Sequence, residues 1–313
     1  MNPKCRVCNE NITDEIFLTK DMFMSKKGEF LYYRCQNCGC VQISDFPQNL
    51  PEFYPNEYCD SFGLAGAKVG SILKNIITKT SFYRYPVIYN FLNYYEILDE
   101  RVKTIRTLRL QQNVTILDVG AGDGYFLNAL MNLGFNNVYG LEPYGQESIK
   151  PKIVKGTIRD LEKGQTFDVI TYNDSFEHIW DPKSELIEMY KHLNFGGIGI
   201  IRLPIAASGF RQYRQYWFEL DPPRHFYLHT LKSMEILFEK SKFKILSIDY
   251  DSFGRSYMFS EMYKKGKPFV QQPLFLQLAI EFLVPNSYLL RRRAKSENNR
   301  KEGNHAIIIF KKL

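Results

Sequence analysis

The residues from Asp118 to Gly124, Asp-Val-Gly-Ala-Gly-Asp-Gly, set a carboxylate beside three glycines in five positions, at the point where an apolar run gives way to a helical pattern. Glycines this close let the main chain take left-handed conformations and let a ligand approach the backbone. A dinucleotide site would need G-x-G-x-x-G/A, but the sixth position is Tyr125, and no Lys-Ser/Thr follows as in a P-loop. The carboxylate of Asp118 would repel a diphosphate and suits a ligand that carries an ammonium group.

A second group is the pair of knuckles Cys5-x-x-Cys8 and Cys35-x-x-Cys38, separated by 26 residues. Two such turns supply four thiolates to one tetrahedral zinc and leave no position open for catalysis, so the expected site is structural. Cys40 and Cys59 fit no pair and are read as small apolar residues. A third group lies near the ends of later apolar runs. It comprises Glu142, Asp160, then Asn173, Ser175 and His178 in "NDSFEHIWDP", and finally Arg224 and His225 in "YWFELDPPRHFYLHT". Either imidazole, near-neutral in pKa, could take a proton from a hydroxyl, or could instead brace its loop. Arg224 would bind an acceptor phosphate or carboxylate, or pair with Asp221.

The elements that must hold these residues alternate. Apolar runs at 114–119, 138–142, 153–158, 167–172, 197–203, 243–251 and 304–313 read as strands, and helical patterns fall at 124–133, 144–150, 183–194 and 230–241. This order predicts an α/β fold, a doubly wound and mostly parallel seven-stranded sheet. The last strand follows a long helical excursion with no crossover beside it, so it is expected to run antiparallel. The domain reading is a zinc ribbon at 1–45, a linker with covering helices at 46–112, a core at 113–255, a helical excursion at 256–303 and a final core strand at 304–313.

On these residues the chain resembles the class I S-adenosylmethionine-dependent methyltransferases, a Rossmann-like fold. The resemblance implies that Gly120, Gly122 and Gly124 accept the methionine portion of the cofactor and that Asp118 faces its amino group. It also implies that Glu142 holds the ribose hydroxyls, that Asp160 accepts from the adenine amino group, and that Asn173 and Ser175 line the pocket. His178 and His225 are then the candidate catalytic residues. The ribbon, the "YPNEY" link and the "LDPPRH" segment together look like bacterial methyltransferases of sugar and surface-polysaccharide biosynthesis. That likeness implies O-methylation of a sugar hydroxyl on a nucleotide- or lipid-linked acceptor, with zinc serving structure alone. The rival readings are C-methylation of a nucleotide-linked keto sugar, nucleic-acid methylation, and a cofactor-binding scaffold without turnover.

Charge and hydropathy narrow the classes further. Of the net +7 over 313 residues, residues 282–313 contribute +6, from eight Lys/Arg against Glu297 and Glu302. The remainder is nearly neutral, which argues against a nucleic-acid-binding surface on the ribbon or core. No leader-like segment and no bilayer-length apolar run is read, since 273–290 contains Glu281 and Pro285. The expectation is a cytoplasmic protein, with the apolar-then-basic stretch 269–293 a candidate for peripheral contact with the inner face of a membrane.

Overall fold

The computed structural model describes residues 4–12, 15–54, 71–94, 96–144, 147–149, 151–239, 241–269 and 287–313. At the N-terminus, β1 (Glu15–Thr19) and β2 (Phe30–Arg34) form an antiparallel hairpin, with Glu15 opposite Arg34 and Thr19 opposite Phe30. Asp21 shapes its connection, accepting from the amides of Phe23, Met24 and Lys26. β3 (Val41–Ile43) pairs with β2. The fourth strand of this sheet comes from far along the chain, where Gln42 faces Tyr227 and Val41 faces Leu228. A module of this size buries little on its own, and it closes the open edge of β3 by borrowing a strand from the core.

The linker carries α1 (Ser71–Tyr83), α2 (Pro86–Tyr94) and α3 (Glu100–Thr107). Asp99 caps α3 by accepting from the amides of Arg101 and Val102, the standard role of an acidic N-cap. The core then runs β4 (Ile116–Val119), α4 (Tyr125–Asn132), β5 (Val138–Leu141), β6 (Lys152–Val154), β7 (Phe167–Asn173), α5 (Pro182–His192), β8 (Leu193–Pro204), α6 (Ser208–Tyr213), β9 (Tyr227–Leu228), α7 (Leu231–Glu239) and β10 (Phe243–Tyr250). After α8 (Gly254–Lys264) and α9 (Ser287–Asn299), β11 (His305–Lys312) closes the order β10-β11-β8-β7-β4-β5-β6.

Strands β4 to β8 are parallel, and β11 is antiparallel to both β8 and β10. The seven-stranded sheet with its reversed last strand is therefore present. All four residues of β4 are buried, as expected of a strand covered on both faces.

Three boundaries differ from the sequence expectation. The run 153–158 holds a strand only over Lys152–Val154, because Gly156 (φ 151°) turns the chain into a 3-10 turn at Ile158–Asp160. The helix expected at 183–194 stops at His192, and Leu193 begins β8. Of the helix expected at 144–150, residues 145, 146 and 150 lie outside the described residues, while Ser148 forms an antiparallel bridge with Ile153.

In the excursion, α9 packs through Ala294 and Glu297. The Tyr257 hydroxyl donates to Glu297 Oε2 at 2.5 Å and Arg293 Nε to Oε1 at 3.0 Å. Much of the 269–293 stretch lies outside the described residues, as does Cys59. Among the described residues, no helix is long and apolar enough to cross a membrane.

Candidate active site

The glycine turn is held from behind. Gly120, Gly122 and Gly124 have φ of 80°, 56° and 77°, the left-handed region that favours glycine. A Cβ on Gly120 would lie 2.5 Å from that of Ser175, and one on Gly124 2.6 Å from Ile153 Cδ1. At Gly122 a Cβ would meet nothing within 4 Å among the described residues, so this position faces open space. Ser175 donates its hydroxyl to the Val119 carbonyl at 2.6 Å, so it buttresses the turn instead of lining the cavity.

Two acids differ from their expected posts. Asp118 stands behind the cavity wall, buried, accepting from Thr171 Oγ1 at 2.6 Å and Asn173 Nδ2 at 2.9 Å. Burial pushes its pKa up to about 6 against the pull of those hydrogen bonds. Asn173 is the side chain that reaches the cavity, and Asp118 orients it. Asp160 is a local cap: its carboxylate accepts from the Thr157 amide at 2.7 Å and hydroxyl at 2.9 Å, and it is exposed. A short polar side chain after a strand finds its nearest orphan amide first. Glu142 lies beside the turn, nearly buried, accepting from the Gly122 amide at 2.8 Å and the Tyr144 amide at 3.0 Å. Its carboxylate retains lone pairs for further donors.

In front of the turn lies an open cavity of about 330 Å³. Gly120 to Asp123 form one side, Asn173, Asp174, Glu177 and His178 with Phe218, Glu219 and His225 another, and Glu96 to Arg101 with Phe253, Arg255 and Ser256 the rim. Besides Glu177, which burial holds toward its neutral form, six carboxylates line it against three guanidinium groups and the His305 imidazolium, a small excess of negative charge that favours a cationic ligand. The floor is a charge cluster. Arg202 bonds Asp174 and, through Nε, Asp251 at 2.6 Å, while His305 reaches Asp174 at 2.6 Å and Asp251 at 2.9 Å. Burial and Arg202 push the His305 pKa down, but Asp251 and Asp174 outweigh them and raise it to about 10, so the imidazolium stays charged.

His178 and His225 meet edge to face, ring centroids 4.7 Å apart, and both line the cavity. Each presents Nδ1 to a backbone carbonyl, His178 to Arg224 at 2.9 Å and His225 to Glu219 at 2.9 Å. A carbonyl can only accept, so Nδ1 carries the proton in both rings and the lone pair sits on Nε2. The Tyr54 hydroxyl shares the Nδ1 of His178 at 2.7 Å. Burial, reinforced by His225, lowers the His178 pKa to about 3, and burial lowers that of His225 as well. Near both rings lies Glu177, fully buried, with neither carboxylate oxygen hydrogen-bonded among the described residues. Burial raises its pKa well above the usual carboxylate range.

The histidine wall is braced by the N-terminal module. Arg224 is fully buried, donating to Asp221 Oδ2 at 2.8 Å, Asp21 Oδ1 at 2.7 Å and the Phe53 carbonyl at 3.2 Å, so it is an internal strut and does not reach an acceptor. The Tyr32 hydroxyl donates to the His225 carbonyl at 2.7 Å. Arg6 lies 4.1 Å from the Trp180 ring centroid and donates to the Tyr227 hydroxyl at 2.7 Å. The two knuckles fold alike, Asn9 to Cys5 and Gly39 to Cys35 closing at 2.8 Å, and their thiols interleave with Cys5–Cys38 at 3.6 Å and Cys8–Cys35 at 3.5 Å. A tetrahedral zinc with Zn–S near 2.3 Å sets sulfurs about 3.8 Å apart, so this donor set fits the ion. Cys40 is buried 3.8 Å from His229, a packing position.

Several site residues escaped sequence reading. Glu177 adjoins His178 and could have been flagged by adjacency, whereas nothing local marks Tyr54, Arg202 or His305 as neighbours of one cavity.

The profile of the family described as "Methyltransferase domain" matches residues 92–248. The ubiquinone biosynthesis O-methyltransferase of Rickettsia akari (strain Hartford) is 29% identical over 96 residues, 28% of this chain and 38% of that protein. Its counterpart in Rickettsia bellii (strain OSU 85-389) is 30% identical over 99 residues, 28% of this chain and 41% of the relative. The match thus spans well under half the length of these relatives. Among solved structures, coclaurine N-methyltransferase bound to N-methylheliamine and SAH aligns over 67% of this chain and 71% of its own, at 15% identity and TM-score 0.43. An S-adenosylmethionine-dependent methyltransferase from Mesorhizobium loti aligns over 68% and 98%, at 13% identity and TM-score 0.44.

Proposed function

We propose that this chain, which belongs to the methyltransferase-domain family, is an S-adenosylmethionine-dependent methyltransferase whose acceptor is a sugar hydroxyl, methylated on oxygen. The observation that carries this reading is the number of polar side chains at the cavity: carboxylates, guanidinium groups and imidazoles belong to 13 of its 24 lining residues. Such walls hydrogen-bond a polyhydroxylated acceptor, and they would leave polar groups unpaired against an apolar one.

S-adenosylmethionine supplies a methyl group on a sulfonium. In this chain the turn Gly120–Gly124 would let the amino-acid portion approach the main chain closely at Gly122, beside the side chain of Asn173, and Glu142 would accept from the ribose hydroxyls, two donors for one carboxylate. The excess of carboxylates complements the sulfonium and ammonium charges. His178 and His225 would meet the acceptor hydroxyl through Nε2, the unprotonated nitrogen in each ring, and their depressed pKa keeps both neutral at pH 7. Closure of the cavity around the donor and hydroxyl would set the in-line geometry and exclude water. Cys5, Cys8, Cys35 and Cys38 would hold a structural zinc, whose part in the reaction is to keep the histidine wall in place.

The test is turnover of a panel of nucleotide-activated and lipid-linked sugars, with the product read by mass spectrometry and NMR. An O-methyl ether is expected. A methyl group on a ring carbon would replace this reading with C-methylation, and turnover of aromatic hydroxyls alone would overturn it. Metal analysis of the purified protein should give zinc, with one equivalent per chain lost in Cys35→Ser.

A further inference from the structure

We propose that Glu177, His178 and His225 form a second metal site, for a first-row divalent ion, with its open positions facing the acceptor side of the cavity. One oxygen of Glu177 and one ring nitrogen of each histidine lie within 4.8 Å of one another. Two imidazoles and one carboxylate are a donor set for divalent ions such as Mn2+, Fe2+ or Zn2+, and three protein donors leave positions for exogenous oxygen.

Two further observations point to an ion. The Glu177 carboxylate is fully buried and has no hydrogen-bond partner among the described residues, with His225 Nε2 3.8 Å from Oε1. A buried carboxylate without partners is costly, and a cation relieves it directly. Both imidazoles already hold Nδ1 against a backbone carbonyl, the arrangement that fixes the tautomer of metal-binding histidines and aims Nε2 at the ion. Metal–ligand bonds of about 2.0–2.2 Å set neighbouring donors about 3.0–3.5 Å apart, so the three side chains would draw together by about an ångström.

This inference rests on the methyltransferase reading and deepens it. An ion here would bind vicinal hydroxyls of a sugar and acidify the one to be methylated. The roles are exclusive at Nε2: with the ion bound, both imidazoles are ligands, and coordination replaces direct proton acceptance.

The experiment is a titration of the full-length protein, after brief exposure to a chelator, with Mn2+ followed by electron paramagnetic resonance. Thiolates suit Mn2+ poorly, so the four-cysteine site does not compete. One bound Mn2+ per chain is expected, weakened at least about tenfold in Glu177→Gln and likewise in His225→Asn. S-adenosylhomocysteine affinity, measured on the same samples, shows that each variant is folded and tests the cofactor site separately. Free signal undiminished at millimolar Mn2+ would mean that Glu177 is simply protonated, and it would overturn the site. Equal Mn2+ binding by wild type and both folded variants would overturn it too. Loss of S-adenosylhomocysteine binding in the wild type would instead remove the reading beneath it.

Discussion

The glycine wall of the cavity is held within residues 118–175, by bonds among neighbouring segments: the Gly122 amide to Glu142, the Ser175 hydroxyl to the Val119 carbonyl, and Asn173 to Asp118. The histidine wall is held by side chains from distant segments, with Asp21 and Phe53 on Arg224, Tyr32 on the His225 carbonyl and Arg6 on Tyr227. One wall is a local motif, and the other depends on a separate module docking correctly. Binding of the cofactor half should therefore tolerate damage that disables the acceptor half.

Arg224 is where that contrast breaks most sharply. Substitution by Met keeps the packing volume and leaves Asp21 and Asp221 buried without their cation. Removing one partner of a buried ion pair costs about 3–5 kcal/mol. Chemical denaturation should show a loss of that size, and turnover should fall more than S-adenosylhomocysteine affinity in the fraction still folded. A cost under about 1 kcal/mol would mean that the module does not brace the wall.

The charge cluster beneath both walls predicts a pH effect of intermediate size. His305 has a folded pKa of about 10, raised above the ordinary 6.5, so its contribution is complete below about pH 6.5 and is lost as pH rises through 10. Asp251 runs the other way. Burial raises its pKa, but Arg202 and His305 outweigh burial and hold it near 2, so its contribution is present above about pH 4 and fades toward pH 2. Unfolding free energy in wild type should decline between pH 7 and 10.5 by on the order of 3 kcal/mol from this group. His305→Gln should flatten that limb, and an unchanged slope would remove His305 as its source.

How much of this was legible follows from the same contrast. The glycine turn, its strand and the reversed β11 follow from local spacing and hydrophobic runs, which a sequence displays directly. The borrowed strand β9, the burial of Arg224 and the gathering of Glu177, His178 and His225 depend on contacts between segments up to about 200 residues apart. Asp118 and Asp160 show the remaining difficulty. Their positions relative to the strands were readable, but the partners of each carboxylate depended on which donor lay nearer than the cavity.

Glu142 sharpens the comparison on the glycine side. Glu142→Gln keeps the shape but removes the charge that accepts from Gly122 and Tyr144. Hydrogen bonds to a charged group are worth about 1.5–3 kcal/mol. Calorimetry with S-adenosylhomocysteine should show affinity lower by about 2 kcal/mol, roughly thirtyfold, while Mn2+ binding at the histidine wall stays within twofold of wild type, about 0.4 kcal/mol. A parallel loss of both would show that the two walls are one unit.

Asp160 supplies the smallest expected effect and the cleanest discrimination between a cap and a ligand. Its carboxylate accepts from the Thr157 amide and hydroxyl, and those bonds hold its pKa below the usual carboxylate value. Asp160→Ala removes a solvent-exposed cap on a three-residue 3-10 turn, which costs less than about 1 kcal/mol. S-adenosylhomocysteine affinity should not change. Asp160→Asn should recover most of the stability, because an amide oxygen can still accept from Thr157. A drop in cofactor affinity of more than about tenfold in Asp160→Ala, with stability intact, would show that the carboxylate leaves its cap when the cofactor binds. The glycine wall would then extend from Gly120 to the loop after β6.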